Sequence, residues 1–252
     1  EKFQKELKNA ATSIVEQWSQ KLKDKGYNVF VPPNPSDGGL SLGALFWWLH
    51  LAGHPIPDQD WKFSGIPLIE NKKFRKKRKT PIKKLASMIQ DGAILGIVEG
   101  NMEVGPRALG HRSIICDPSV KGIKDKLNAD VKHREFYRPF APIVLEEHAR
   151  DWFDMPGGVI NSPYMSFVCK CLKPDEIPAV VHADGTSRVQ TVNRNQHPEL
   201  YHAMRQWHAE TGCPVVLNTS LNIKGQPIVN TEQEAQEFAK HYKVKVHCRD
   251  DY

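Results

Sequence analysis

The stretch Asn128-Ala-Asp-Val-Lys-His-Arg-Glu-Phe-Tyr-Arg-Pro-Phe-Ala-Pro142 sets three cations, Lys132, Arg134 and Arg138, within seven residues. Pro139 disfavours helical geometry at Arg138, so the three side chains are expected to fan out from an extended loop or a strand end. Such a fan suits a multiply charged oxyanion. Guanidinium groups grip phosphate or carboxylate through two parallel N–H donors, and an ammonium adds a compact charge. A K-x-R pair by itself is most often solvated surface, so its meaning depends on its company.

Four further segments supply that company. In Glu99-Gly-Asn-Met-Glu-Val-Gly-Pro-Arg-Ala-Leu-Gly-His-Arg-Ser113, Arg107 and Arg112 flank a turn built from Gly105, Pro106 and Gly110. Glycine there lets backbone N–H groups approach a ligand closely. His182-Ala-Asp-Gly-Thr-Ser-Arg-Val-Gln190 contributes Arg188, either as a fourth cation or as the partner of Asp184 in a core salt bridge. Leu217-Asn-Thr-Ser-Leu-Asn222 places Asn218, Thr219, Ser220 and Asn222 after an apolar run, at a strand's C-terminal end, a frequent address for ligand groups in α/β folds. Lys224-Gly-Gln-Pro227 follows. His111 and His182 are candidates for proton carriers, with a purely structural role as the ordinary alternative.

The bulk sequence narrows the class. At 252 residues the chain can bury a sizeable core, as one large domain or two smaller ones. No apolar run approaches the roughly 18 residues that span a bilayer, so no membrane partner is expected and a cytoplasmic location is the default. Five cysteines without a C-x-x-C pair argue for reduced, buried thiols rather than a zinc knuckle or a disulfide framework. Residues 72–84 hold nine Lys or Arg and no acid, and without them the formal charge falls from +6 to −3. Charge so localised suits a solvated linker better than a nucleic-acid footprint, so nucleic acid is not an expected partner. The first residue is Glu1 rather than Met, which suggests a trimmed chain or a fragment.

Along the chain, residues 3–25 show helical periodicity and stop at Gly26, residues 27–31 form a short strand, and residues 32–39 a turn-rich loop. Residues 40–51 make a second, nearly all-apolar helix that is expected to lie inside a larger assembly. Residues 53–81 read as an inter-domain linker. A mixed α/β unit of about 170 residues follows. It is expected to hold a helix over 82–89 and a buried strand over 93–98. Short strands are predicted over 113–116, 143–145, 165–172, 179–181, 189–192 and 215–217, with a helix over 198–211. A last helix opens at Thr231, with Glu234 completing a capping box.

Taken together, Gly105-Pro-Arg-Ala-Leu-Gly-His-Arg-Ser113, the K-x-R of Lys132-His-Arg134 with Arg138-Pro-Phe-Ala-Pro142, Asp184-Gly-Thr-Ser-Arg188, and Leu217-Asn-Thr-Ser-Leu-Asn222 with Gly225 and Pro227 resemble the C-terminal domain of the nodulation- and cephem-type O-carbamoyltransferases over about residues 90–235. The resemblance implies an α/β chain in two parts. Residues 80–252 would be a YrdC-like domain, related to threonylcarbamoyl-adenylate synthases, which share the K-x-R and S-x-N pairing. Residues 1–79 would be the C-terminal fragment of an actin-like (ASKHA-type) carbamoyl-transfer domain plus the basic linker.

It also implies a reaction. Carbamoyl phosphate is cleaved to carbamate, which attacks the α-phosphate of ATP to give carbamoyl-adenylate and pyrophosphate. The carbamoyl group then passes to the hydroxyl of a small-molecule acceptor in the actin-like domain. Lys132, Arg134 and Arg138 are implied as the catalytic set, with Lys132 and Arg138 on carbamoyl phosphate. Arg188, Ser220, Asn222 and Asn218 are implied to bind substrate, Ser220 and Asn222 orienting phosphate oxygens or the Mg2+ that accompanies ATP, and Arg107 and Arg112 to touch the ligand or frame its pocket. Asp37, within Val29-Phe-Val-Pro-Pro-Asn-Pro-Ser-Asp-Gly-Gly-Leu-Ser-Leu-Gly43, matches a metal-ligating aspartate, for Fe2+ or another divalent ion in the complete domain. Asn101 stands where the family usually has arginine. The family's metal-binding histidines and glycine-rich nucleotide loop belong to segments not found in this chain, so complete transfer is expected to need an N-terminal half. The alternative is a non-catalytic module of the same fold that binds nucleotide or RNA.

Overall fold

The structure is a computed structural model, and it describes residues 40–55, 61–63, 65, 85–156 and 161–249. The helix expected over 3–25, the strand over 27–31, the loop that carries Asp37 and the basic run at 72–84 lie outside the described residues. Helix α1 (Leu40–Leu51) is formed as its sequence predicts, and Leu40, Leu45, Trp47, Trp48 and Leu51 are exposed on it. Among the described residues no helix is long and apolar enough to cross a membrane.

Eight strands form one mixed sheet: β1 (Leu95–Glu99), β2 (Arg112–Cys116), β3 (Ala141–Leu145), β4 (Phe153–Asp154), β5 (Phe167–Cys171), β6 (Thr186–Val192), β7 (Val215–Ser220) and β8 (Lys245–Arg249). Their order is β4-β5-β6-β3-β7-β2-β1-β8. The β1/β8 and β3/β6 pairs are parallel and the others antiparallel. Every residue of β1, β2 and β3 is buried, as strands covered on both faces must be.

Two apolar layers do the covering. On one face, Ile123 of helix α3 (Ile123–Lys126) packs with Leu127 and Val131 of the wide helical turn that continues it. Ala235 and Phe238 of helix α6 (Glu232–Tyr242) join them against Val98, Ile114, Val144, Val189, Val215 and Leu217. On the other face, Leu200, Ala203, Met204 and Trp207 of helix α5 (Pro198–Thr211), with Ile89 of helix α2 (Leu85–Ile89), cover Leu95, Ile97, Ile115, Ile143, Leu145, Val192 and Val216. Helix α4 (Ala149–Trp152) leads into β4. Helix α6 opens with the expected capping box between Thr231 and Glu234. Helix α5 begins with Pro198 in its first turn and ends at Gly212, whose φ of 75° is the left-handed C-cap.

The face under α5 changes character along its strands. Alternate residues of a strand share a face, so Val192 of β6 is followed on that face by Gln190 and Arg188, and Val216 of β7 by Asn218 and Ser220. β3 supplies Ala141 beside Asn218 and Ile143 beside Gln190. The sheet thus has an apolar half under α5 and a polar end beyond it.

The segment from Gly100 to His111 covers that polar end. Leu109 packs with Ala141 and Met165. Gln190 Nε2 donates to Leu109 O (2.8 Å), and Asn218 Nδ2 donates to Ala108 O (2.8 Å) and Gln190 Oε1 (2.9 Å). The N–H groups of Leu109, His111 and Arg112 donate at 2.7, 2.9 and 3.1 Å to a single oxygen, Oε1 of buried Glu103. Gly110 has φ 123°, and a Cβ there would meet the His197 ring at 2.9 Å and Leu200 at 3.0 Å, so both backbone and space require glycine.

Three sequence expectations change. Residues 179–181 are not a strand: Pro178–Val180 form a short 3-10 turn that packs Ala179 and Val180 into the core. The predicted linker includes a docked piece, since Val104 N donates to Lys62 O (2.7 Å) and Gly65 N to Met102 O (3.0 Å). Strands β4 and β8 and the helical segment at 123–131 were not foreseen.

Two variants test the loop. Gly110→Ala combines left-handed backbone strain with a ring collision and should cost about 2–4 kcal/mol. Glu103→Ala leaves three inward N–H donors without their carboxylate and should cost about 3 kcal/mol or more. Urea unfolding measures both, and stability within 1 kcal/mol of the parent (a change near experimental scatter) would show that the loop is not held as described.

Candidate functional site

The helical turn Leu127–Val131 delivers Lys132, whose N–H donates to Leu127 O (2.9 Å). Lys132 therefore leaves the end of a helical segment and not, as the sequence suggested, an extended stretch. The chain then reverses: His133 takes φ 43°, and Arg134 N donates to Asn128 O (3.0 Å).

Lys132 Nζ donates to Ser220 O (2.8 Å), Ser220 Oγ (3.2 Å) and Asn222 Oδ1 (2.7 Å). Asn222 Nδ2 donates to Ile223 O and Gln226 O, which fixes its oxygen toward the lysine, and Ser220 Oγ donates to the same oxygen at 2.8 Å. The K-x-R lysine and the S-x-N pair, nearly ninety residues apart in sequence, form one cluster. Its acceptors are all neutral. Burial, followed by the charges of Arg134 and Arg138, pushes the Lys132 ammonium down to about 7.

Arg134 is held from below. Its Nε donates to Asn128 Oδ1 (2.7 Å), an Nη to Pro139 O (3.3 Å), and its guanidinium lies 4.6 Å from the centre of the Phe140 ring. Burial and the neighbouring Arg138 lower its proton affinity to about 10. Arg138 is half exposed, with Glu135 at 3.8 Å, a separation too long for a strong pair.

Arg188 stands farther along the same sheet face. No ion pair joins it to Asp184, whose Oδ1 instead accepts from Thr186 N–H and Oγ1 and closes the turn before β6. Among the described residues its buried Nε has no hydrogen-bond partner, and burial with the charge of Arg107 lowers it to about 10. Arg107 itself is exposed on the covering loop. Among the described residues, Glu135 is the one carboxylate within ion-pair distance of Lys132, Arg134, Arg138, Arg107 or Arg188.

Two of the expected substrate-binding residues are framing residues in this geometry. Arg112 is fully buried, and its guanidinium donates to Glu99 O (2.6 Å), His111 O (3.0 Å) and Gly100 O (2.8 Å). Asn218 is 1% exposed and ties the covering loop to β6. His111 stacks on Phe63 at 3.5 Å and meets the His197 ring edge-on at 4.8 Å. Burial lowers it to about 4, so it is neutral at physiological pH and donates through Nδ1 to Asn101 O (2.6 Å). That makes it a packing residue. His182 Nδ1 lies 3.0 Å from Thr186 Oγ1.

Sequence reasoning passed over Glu103, Asn128 and Gln190, which position the rest. Glu103 carries a visible signal, as the one acid between Asn101 and Arg112 in a segment rich in arginine and glycine. No H-x-x-x-H pair was expected in this chain, and that expectation is wrong: His50-Leu-Ala-Gly-His54 has the spacing. His50 ends α1 beside Trp47, whereas His54 follows Gly53 (φ 72°) and lies beside Trp48. No group of three or more His, Cys, Asp or Glu among the described residues is placed to hold a metal, and Asp37 lies outside them.

The chain is 36% identical over 228 residues to nodulation protein NolO of Bradyrhizobium diazoefficiens, covering 82% of this chain and 41% of that protein. It is 37% identical over 224 residues to nodulation protein NolNO of Sinorhizobium fredii, covering 82% and 33%. With nodulation protein U of the same organism it shares 35% over 230 residues, covering 88% and 40%. The chain thus spans about 40% or less of the length of the curated relatives it matches. The crystal structure of T. kodakarensis HypF superposes with a TM-score of 0.44 at 19% identity, over 61% of this chain and 18% of that one, a likeness too slight to carry an argument. The model of the carbamoyltransferase C-terminus matches residues 86–252, the whole of the sheet and the site built on it, and the chain belongs to that family.

Proposed function

We propose that this chain provides the carbamoyl-adenylate-forming part of an ATP-dependent O-carbamoyltransferase. The observation that carries the reading is the Lys132 cluster: a buried ammonium held by neutral oxygens of Ser220 and Asn222, beside two arginines, with no carboxylate among the described residues close enough to neutralise it. Cations arranged this way are completed by an anion with several charged oxygens.

In the proposed reaction Lys132 and Arg138 bind the phosphate of carbamoyl phosphate. Water cleaves it to carbamate and inorganic phosphate. A carbamate oxygen then attacks the α-phosphorus of ATP, and pyrophosphate leaves with the electron pair of the broken P–O bond. Arg134, Arg188 and Arg107 counter the charge that accumulates as two polyanions meet. Ser220 Oγ and Asn222 Oδ1 already accept from Lys132, so they orient the lysine, and the Mg2+ that accompanies ATP rides on phosphate oxygens. Asp37 and a divalent metal belong to the transfer step. There the acceptor hydroxyl attacks the carbamoyl carbon and AMP departs, a step assigned to the actin-like part of the whole protein.

Incubation with carbamoyl phosphate, ATP and Mg2+ should release pyrophosphate only when all three are present, as followed by phosphorus NMR. Lys132→Ala and Arg138→Ala should each lower that release by about a hundredfold or more, the scale of losing a charged transition-state contact. Near-normal turnover in both would sink the assignment.

The Lys132 environment adds a pH signature. The free protein loses this proton near pH 7, whereas a bound anion favours the charged form. Anion binding at pH 8 should therefore take up about one proton, and affinity should fall as pH rises above 7, by up to about tenfold per unit. Calorimetry with pyrophosphate in buffers of different ionisation enthalpy measures the uptake. Lys132→Met should abolish it, and uptake that persists in that variant would place the titrating group elsewhere.

A further inference from the structure

The loop between the K-x-R motif and Pro139 carries two aromatic rings that the anion cluster does not use. Among the described residues Phe136 is 73% exposed and Tyr137 63%, the most exposed large apolar side chains outside α1. The two rings meet edge-to-face, 5.7 Å apart at 80°. A single exposed aromatic is ordinary, but two adjacent ones, straddled by the arginines of the site, need a reason.

Their backbone is rigidly held. Asn128, 1% exposed, donates from Nδ2 to Phe136 O (3.3 Å) and Arg138 O (3.1 Å) while its Oδ1 accepts from Arg134. Arg138 N donates to Glu135 O (3.1 Å), and Arg134 reaches Pro139 O across the base of the loop. The rings are therefore presented outward from a tied loop and are not the tip of a loose one, so a ligand that contacts them meets little ordering cost.

We infer that Phe136 and Tyr137 form a stacking platform for the base of a nucleoside polyphosphate, the ATP of the proposed reaction, whose phosphates meet the Lys132, Arg134 and Arg138 cluster beside carbamoyl phosphate. The inference rests on the polyphosphate reading of that cluster and adds what recognises the nucleoside. A ligand that matches both features needs a flat π-system and several negative charges in one small molecule. Carbamoyl phosphate has only the second. A nucleic-acid strand would need a basic groove that tracks its backbone over several nucleotides, whereas the cations here are gathered within one loop and its immediate partners. A single nucleotide fits two rings and one compact cation cluster.

The test compares two probes by titration calorimetry in the presence of Mg2+: α,β-methylene-ATP, which cannot release pyrophosphate, and inorganic tripolyphosphate, which carries similar charge without a base. The parent chain should bind the nucleotide about tenfold or more tightly than tripolyphosphate, the scale of one base stacked on an aromatic residue. The double variant Phe136→Ala/Tyr137→Ala should lose that advantage and keep its tripolyphosphate affinity. Because both rings are exposed the variant should fold, which its circular dichroism checks, and Tyr137→Phe should retain the advantage. A double variant that binds both probes like the parent overturns the platform. Parent binding of tripolyphosphate with no preference for the nucleotide also overturns it while leaving the anion cluster intact. No binding of either probe by the parent overturns the cluster reading and the platform together. Ring-dependent binding of a single-stranded oligonucleotide in preference to the mononucleotide overturns the choice of ligand.

Discussion

Glu103 places a carboxylate where three backbone N–H groups converge, and the geometry of the covering loop depends on that charge. A segment lying over the polar end of a sheet has no strand partner for its inward donors, and buried donors left unmade are costly. With Leu109, His111 and Arg112 anchored, the carbonyls of Ala108 and Leu109 face the sheet and accept from Asn218 and Gln190. Arg112 completes the unit. Burial disfavours its charge and Glu103 favours it, so acid and base together make a buried frame that is close to neutral.

Among the described residues the buried and half-buried cations of the site, Lys132, Arg134 and Arg188, have no carboxylate within ion-pair distance. Lowering Lys132 from 10.5 to about 7 corresponds to a penalty on the order of 5 kcal/mol against its charged form. Arg134 and Arg188 are lowered by the same causes, burial and a neighbouring arginine. One loop thus buries its charges as a matched set, whereas the adjacent one has, among the described residues, only the long, exposed contact of Arg138 with Glu135. The frame fixes where those charges stand.

Much of this was legible in sequence because it follows from local rules. Helix α5, the strand cores and the Thr231 capping box obey periodicity and capping, and the K-x-R and S-x-N pairs announce a cluster that Lys132, Ser220 and Asn222 do form. What escaped depends on contacts distant in the chain. β8 is short and carries Lys245, His247 and Arg249, and pairing with β1 makes it a strand. The apolar run at 179–181 has β propensity but packs as a turn that buries Ala179 and Val180 in the core, a contact set by residues distant in the chain. For Arg112 the sequence left two roles open, a ligand contact or part of the pocket's frame. Only the fold shows its guanidinium surrounded by carbonyls.

The covering loop and helix α5 also form a single lid. His197 caps α5 by accepting from Leu200 N, and its ring meets His111 of the loop, which stacks in turn on Phe63. Gly110 lies against that same His197 ring and Leu200, too close for any side chain. A shift of α5 along the apolar half of the sheet would therefore press on Gly110 and displace the carbonyls that orient Asn218 and Gln190. Asn218 lies two residues from Ser220 on β7, and Ser220 holds Lys132. Helix α5 and the Lys132 ammonium are thus joined by a continuous path of contacts, so the placement of the cation cluster rests on the hydrophobic core as well as on the motif that names it.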